Sequence, residues 1–325
     1  MSDKGQASVV DDGAVSPGWV RARRIAGFGA AGTMSLYLAV KVAWVIGAFL
    51  GAVPGAFDTN PREWIALNVI TVGMAAFGVA LGLAFAQPWG RRLPGRLVIG
   101  FSWIASGFLV SLLPYSALSA LLGATGAESG SGSDPFPRWE SALIMIGFTG
   151  MAVGLLVAVP VYMRERWPRA FTGRSGGGEV ASARSLAFTV AAAAVPTLLW
   201  IYWAAGGTLG LNPDALGLWN LDSRLLVGTS AAWAVVGAWS VWALSGRARA
   251  RLPMWLPMTA GFVASGSLFA WNAWRVLWLL VPITELEPLK SPVAAGIEHS
   301  TAMVAGLAIM AHLLRAYRIS ERGER

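Results

Sequence analysis

Cysteine is absent from this chain, histidine occurs only at His299 and His312, and lysine only at Lys4, Lys41 and Lys290. Without cysteine there is no disulfide framework, no thiolate metal site and no cysteine nucleophile. Two histidines cannot supply a three-histidine metal centre, and no His-Glu-x-x-His pair is present. A Gly-x-Ser-x-Gly elbow is missing too. The run Gly176-Gly177-Gly178 is not followed by Gly-Lys-Ser/Thr, so it is not a phosphate loop. No aspartate-rich motif stands in an apolar run or an inner loop to hold a magnesium diphosphate. The sequence therefore predicts no catalytic residues, no metal and no cofactor. Charge is scarce as well. Charged residues make up 13% of the chain, against about 25% in a typical soluble domain, and this deficit points to lipid as the solvent.

What is present agrees with that. Hydrophobic residues reach 55%, with 39 glycines and 17 tryptophans. Glycine suits close helix contacts in lipid and tryptophan suits the membrane interfaces. Apolar runs over roughly 25–53, 64–86, 97–122, 141–163, 186–207, 225–245, 256–282 and 298–317 predict eight spans, each near the ~20 residues a spanning helix needs. The first run is about twice the core of a cleaved signal peptide and is read as a retained helix. The segments 1–24, 87–96, 164–185, 246–255 and 315–325 hold nineteen Lys/Arg, whereas the connections on the other side hold four, Arg62, Arg138, Arg224 and Lys290, together with ten acids. The positive-inside rule then places both termini in the cytoplasm. The same rule accounts for the net charge of +8 without nucleic acid as a partner; the expected partner is the bilayer.

The chain also repeats itself. Trp44, Gly47, Leu50, Gly51 and Pro54 return as Trp203, Gly206, Leu209, Gly210 and Pro213, displaced by 159 positions. At the same offset Gly78 meets Gly237, Arg92-Leu93-Pro94 meets Arg251-Leu252-Pro253, and Ala105-Ser106-Gly107 meets Ala264-Ser265-Gly266. Ser141 meets Ser300 and Gly147 meets Gly306. The expected fold is an all-α polytopic membrane protein with two parallel four-helix repeats. Repeat A covers 25–163 and repeat B covers 186–317. They are joined by a cytoplasmic linker at 164–185 and flanked by a disordered tail at 1–24 and a short tail at 318–325. Gly47-x3-Gly51 and Gly206-x3-Gly210 read as small-residue helix contacts.

Polar residues inside the apolar runs are the candidate sites. Lys41 lies about 13 Å from the outer end of its helix, at 1.5 Å per residue, close to the midplane. An ionisable group there is costly and normally faces the bundle interior or a wet cavity. Tyr37, one turn away, and Asn272, at a similar depth, are its expected neighbours in a polar ligand-binding site. Glu140 and His299 occupy matching positions at the outer starts of the last helix of each repeat, a possible proton-responsive pair or simple helix-terminus polar groups. Arg275 among Trp271, Trp274 and Trp278 reads as an interfacial belt or as an aromatic outer mouth.

The Leu36-Tyr37 to Trp44-x2-Gly47 helix, the eight-span duplication and the Arg-rich, Lys-poor usage resemble uncharacterised multi-pass integral membrane proteins of actinobacterial type. The resemblance implies a bacterial cytoplasmic membrane protein and brings no activity with it. The expected function is permease-like binding or transport of a small-molecule solute at the interface of the repeats. The alternative is a non-transporting membrane partner or sensor acting through its loops.

Overall fold

The computed structural model describes residues 15–51, 61–123, 138–172, 182–245, 252–280 and 289–322. Among these the backbone is helical, apart from turns and one isolated antiparallel bridge between Leu211 and Lys290. The first half comprises α1 (Pro17–Phe49), α2 (Pro61–Ala86), α3 (Gly95–Leu109), α4 (Leu113–Leu121) and α5 (Arg138–Arg166), followed by a short α6 (Pro168–Phe171). The second half comprises α7 (Ala183–Ala204), α8 (Leu221–Leu244), α9 (Trp255–Leu280) and α10 (Pro292–Arg322).

Seven helical segments are long and apolar enough to cross a membrane: α1, α2 from Asn68, α3 with α4, α5 from Trp139, α7, α8, and α10 as far as Ser320. They fit a multi-pass membrane protein whose solvent is lipid. Large apolar side chains cover the outside, among them Ile46, Val69, Ile146, Leu198 and Leu307. The eighth expected span corresponds to α9. It is 26 residues long, but its four tryptophans and Arg275 dilute its hydropathy. It is also the helix most enclosed by others, packed by α3, α8 and α10.

Two boundaries differ from expectation for physical reasons. Helix α1 begins at Pro17, inside the segment assigned to a tail. Proline at the first turn is pre-set for a helix, and Arg23 is only 2% exposed because α5 and α2 provide its partners. The run 97–122 is one span but not one helix. Pro114 lacks an N–H and its ring crowds the carbonyl four residues back, so Val110–Leu112 tightens into a 3-10 turn between α3 and α4. The triple glycine and most of the linker lie outside the described residues.

Helix α1 packs between α2 and α5, while α7 packs on α8 and α10. The glycines that let backbones approach are not the expected Gly-x3-Gly pairs. Gly51, Gly206 and Gly210 have φ values of 81°, 100° and 82°, a left-handed conformation that glycine adopts at helix ends. Gly206 N–H donates to Trp203 O at 3.0 Å and Gly207 N–H to Tyr202 O at 2.9 Å, which closes α7 in a Schellman turn. The close crossings fall elsewhere. A Cβ on Gly27 of α1 would sit 2.7 Å from Gly82 O of α2, and one on Gly154 of α5 would sit 2.5 Å from the Cβ of Ala30. Gly147 presses on Tyr37 of α1, whereas Gly306, at the matching offset, presses on Ser265 and Phe269 of α9. The last helix of each half thus uses its glycine against a different neighbour.

The halves meet where α3 crosses α9. A Cβ on Gly107 would lie 2.9 Å from Gly266 Cα and closer still to that residue's carbonyl, and one on Gly266 would lie 2.6 Å from Trp103 O. Around this backbone contact Trp103 Nε1–H donates to Ser265 Oγ at 3.0 Å, and the Trp103 indole stacks on Phe269 at 4.9 Å.

Candidate functional site

One polar cluster lies inside each half, near the end of the bundle opposite the arginine-rich end. In the first, α1 presents Lys41 and Trp44 on successive turns of one face. Lys41 Nζ donates to Asn68 Oδ1 of α2 at 2.9 Å and stands 3.8 Å from the Trp44 ring centroid and 5.6 Å from that of Tyr37. The Trp44 Nε1–H donates to Glu140 Oε1. The indole is therefore shared, with the ammonium over its electron-rich face and the carboxylate on its N–H edge. Glu140 sits in the first turn of α5, where the helix dipole favours an anion. Asn68 is 1% exposed and Glu140 7% exposed, while Lys41 is only half-buried. Tyr37 closes the lower side, its ring 4.6 Å from Phe148.

In the second half Lys290 reaches its site from a loop rather than a helix. Asn212 N–H donates to Leu289 O at 3.0 Å and Ser291 N–H to Gly210 O at 2.9 Å. This clips the start of α10 to the turn after α7. Lys290 Nζ then donates to both carboxylate oxygens of Glu298, at 2.7 and 2.6 Å, and lies 4.3 Å from the centroid of Trp203. Trp200 Nε1–H adds a third hydrogen bond to Glu298 at 2.6 Å. Burial pushes the Lys290 ammonium below the usual lysine range, and the Glu298 charge pulls it back up. Beside this pair His299 Nδ1 meets Asn272 Oδ1 at 2.8 Å, which makes Nδ1 the donor, and Asn272 Nδ2 donates to Leu268 O at 2.8 Å.

The expected neighbours of Lys41 are thus redistributed. Tyr37 stands beside it, but its hydrogen bond goes to Asn68, and Asn272 is bonded to His299 instead. Glu140 and His299 have separate partners, Trp44 and Asn272, and do not bond one another. Trp271 donates to Phe108 O at 3.2 Å, and both Trp271 and Trp274 set ring edges against Phe108 of α3. Arg275 is exposed, and the Trp278 side chain lies outside the described residues. These indoles pack on a neighbouring helix rather than around an opening.

Sequence reasoning missed Asn68, which a lone amide in the second apolar run could have signalled. It also missed the Lys290–Glu298 pair, which only the loop clip creates. A further cluster went unnoticed: Asp222 of α8 accepts from Tyr115 Oη at 2.6 Å and Ser119 Oγ at 2.8 Å, both on α4. Among the described residues no group of three His, Asp or Glu side chains could hold a metal ion.

Comparison of the chain with family models, curated proteins and solved structures returned no match.

Proposed function

We propose that this chain is an integral membrane protein that binds a small polar solute within its first four-helix unit, at Lys41, Asn68, Trp44 and Glu140. The observation that carries this reading is the contrast between two cations over two tryptophans 159 positions apart. Lys290 is held on both oxygens of a buried carboxylate. Lys41 is half-buried, and its hydrogen bond goes to a neutral amide that takes one of the three ammonium hydrogens. A small carboxylate or carbonyl solute would complete its shell, with Tyr37 and Trp44 as aromatic walls. A solute of this kind carrying an amine would also find Glu140.

The wider frame of the proposal is eight spans, with α9 as the eighth, in two four-helix units that arose by duplication. The arginine-rich end and both termini face the cytoplasm of a bacterial plasma membrane. The 159-residue offset, the charge distribution and the contact of Gly107 with Gly266 support it. Permease-like movement would then run through one unit rather than between units, because backbone meets backbone at the α3–α9 crossing. That closed crossing favours a second reading, in which the protein does not transport and serves as a membrane partner or sensor.

The test is a thermal-shift panel of amino acids, small carboxylates and organic amines on the purified chain in detergent, since a binder of the folded state raises apparent stability. At least one compound should raise the melting temperature, and Lys41→Met should abolish that rise. A panel without effect, together with a large fall in melting temperature for Lys41→Met alone, would transfer the conclusion to the second reading.

A further inference from the structure

At the arginine-rich end of the bundle the helices enclose a cavity of about 310 Å³ lined by Arg91, Tyr162, Glu165 and Arg166. Three of these come from the last two turns of α5, and Arg91 from the 3-10 turn Pro88–Arg91. Glu165 already has partners. The buried Arg23 guanidinium donates to it at 3.1 Å, and Arg91 Nη2 lies 3.6 Å from its other oxygen. Arg23 also donates to the Phe85 carbonyl, so it is fixed from two sides. Arg166 Nη1 donates to the backbone oxygen of Arg91 at 2.9 Å, which holds the two cavity guanidiniums in one neighbourhood. Three guanidiniums against one carboxylate leave the site positive.

The second observation is independent of charge. Tyr162 is 1% exposed, its ring held edge-on by Phe85 at 5.3 Å and Trp167 at 6.4 Å. Its hydroxyl is buried and has no hydrogen-bond partner among the described residues. A buried, unpaired hydroxyl is costly and rare in native proteins. Here it belongs to a residue that lines a cavity with two guanidiniums.

We propose that this cavity binds a phosphomonoester group. Such a group carries a charge of about −1.5 to −2 and three strong acceptor oxygens. It would use the Arg91 and Arg166 guanidiniums for charge-assisted bonds and give the Tyr162 hydroxyl its acceptor. The cavity is at the small end of ligand pockets, which run about 300–1,000 Å³. Because it sits where the helices end, the group could be carried by a lipid of the adjacent leaflet or by a soluble compound.

The experiment uses the full chain, delipidated in detergent, with inorganic phosphate as one probe and phosphatidic acid in phosphatidylcholine nanodiscs as the other. Melting temperature and probe binding are followed for wild type, Tyr162→Phe and Arg91→Gln. One of the probes should raise the wild-type melting temperature, and each variant should weaken its binding by roughly tenfold, the value of one hydrogen bond to a charged group. Without probe, Tyr162→Phe should melt with wild type, since the lost hydroxyl has no partner to strand. A response to inorganic phosphate assigns a soluble ligand; a response to phosphatidic acid over phosphatidylcholine alone assigns a lipid headgroup. The proposal is overturned if neither probe acts, if Tyr162→Phe binds like wild type, or if that variant is destabilised without probe.

Discussion

Replacing Gly107 with alanine tests the packing of the two halves more directly than any change at a polar residue. The new Cβ would lie 2.9 Å from Gly266 Cα and nearer still to that residue's carbonyl carbon and oxygen. Ordinary contact begins near 3.4 Å, and every atom involved belongs to the backbone, so no rotamer change can relieve the clash. The helices must separate by about 0.5–1 Å, the shortfall from the 3.5–4.0 Å optimum for carbon pairs. Separation weakens the Trp103–Ser265 hydrogen bond and the Trp103–Phe269 stack together. Overpacking of this kind costs typically 1–3 kcal/mol, and the shared loss of contacts puts Gly107→Ala at about 3 kcal/mol. Gly100 provides the control. It lies on the same helix with nothing within 4 Å of its Cβ position, so Gly100→Ala should be neutral or stabilise by about 0.5–1 kcal/mol through helix propensity. The assay is unfolding in mixed micelles followed by tryptophan fluorescence. The double variant Gly107→Ala, Gly266→Ala should cost clearly less than the sum of the singles, because one separation accommodates both methyls. Equal stability for Gly107→Ala and Gly100→Ala would refute the reasoning.

Glu298→Gln should lower stability by about 3–5 kcal/mol, because it strands the Lys290 ammonium in a buried site; thermal unfolding in detergent reads it. Lys41→Met should change stability by no more than about 1 kcal/mol, since its hydrogen-bond partner is neutral and an apolar chain of similar length fills the space; a fall comparable to that of Glu298→Gln would remove the distinction between the two sites. Gly206→Ala should cost about 1–2 kcal/mol, the penalty of a left-handed residue with a side chain, measurable as a drop in melting temperature without loss of expression. The absence of native cysteine allows a clean test of orientation: Ser129→Cys should react with a membrane-impermeant maleimide from outside intact cells, and labelling only after lysis would invert the proposed topology.

Much of the fold was legible because lipid demands long apolar helices. The runs 64–86, 141–163 and 225–245 fall within α2, α5 and, to within a residue, α8. The start of α1 was not legible, since an arginine cluster looks the same whether it lies in a tail or in a helix whose Arg23 meets Glu165 from 142 residues away. Glycine spacing carried a similar ambiguity. Gly206-x3-Gly210 has the same periodicity as a helix contact, but the helix ends before it, and the positive φ values follow from that. The depth of Lys41 could be read by counting residues, whereas its partner could not. Asn68 and Asn272 are both lone amides in apolar runs, and only the packing of α2 against α1 decides between them.

The two lysines show why similar sequence contexts give dissimilar sites. Each ammonium stands over a tryptophan, and the tryptophans are 159 positions apart. Lys290 comes from a loop clipped to the turn after α7, at a point from which both oxygens of Glu298 lie within reach. Lys41 comes from within a helix, so its reach is set by the phase of α1 against α2, and there it meets an amide. The carboxylate on its side, Glu140, is engaged by the far edge of the Trp44 ring. A cation over an indole face gains about 0.5–2 kcal/mol, and a hydrogen bond to a neutral amide does not cancel its charge. A low-dielectric bundle that pairs Lys290 fully therefore leaves Lys41 with electrostatic demand to spare. That remaining demand is what a small anionic or zwitterionic solute would meet, and it is the physical basis for placing the binding site in the first unit rather than the second.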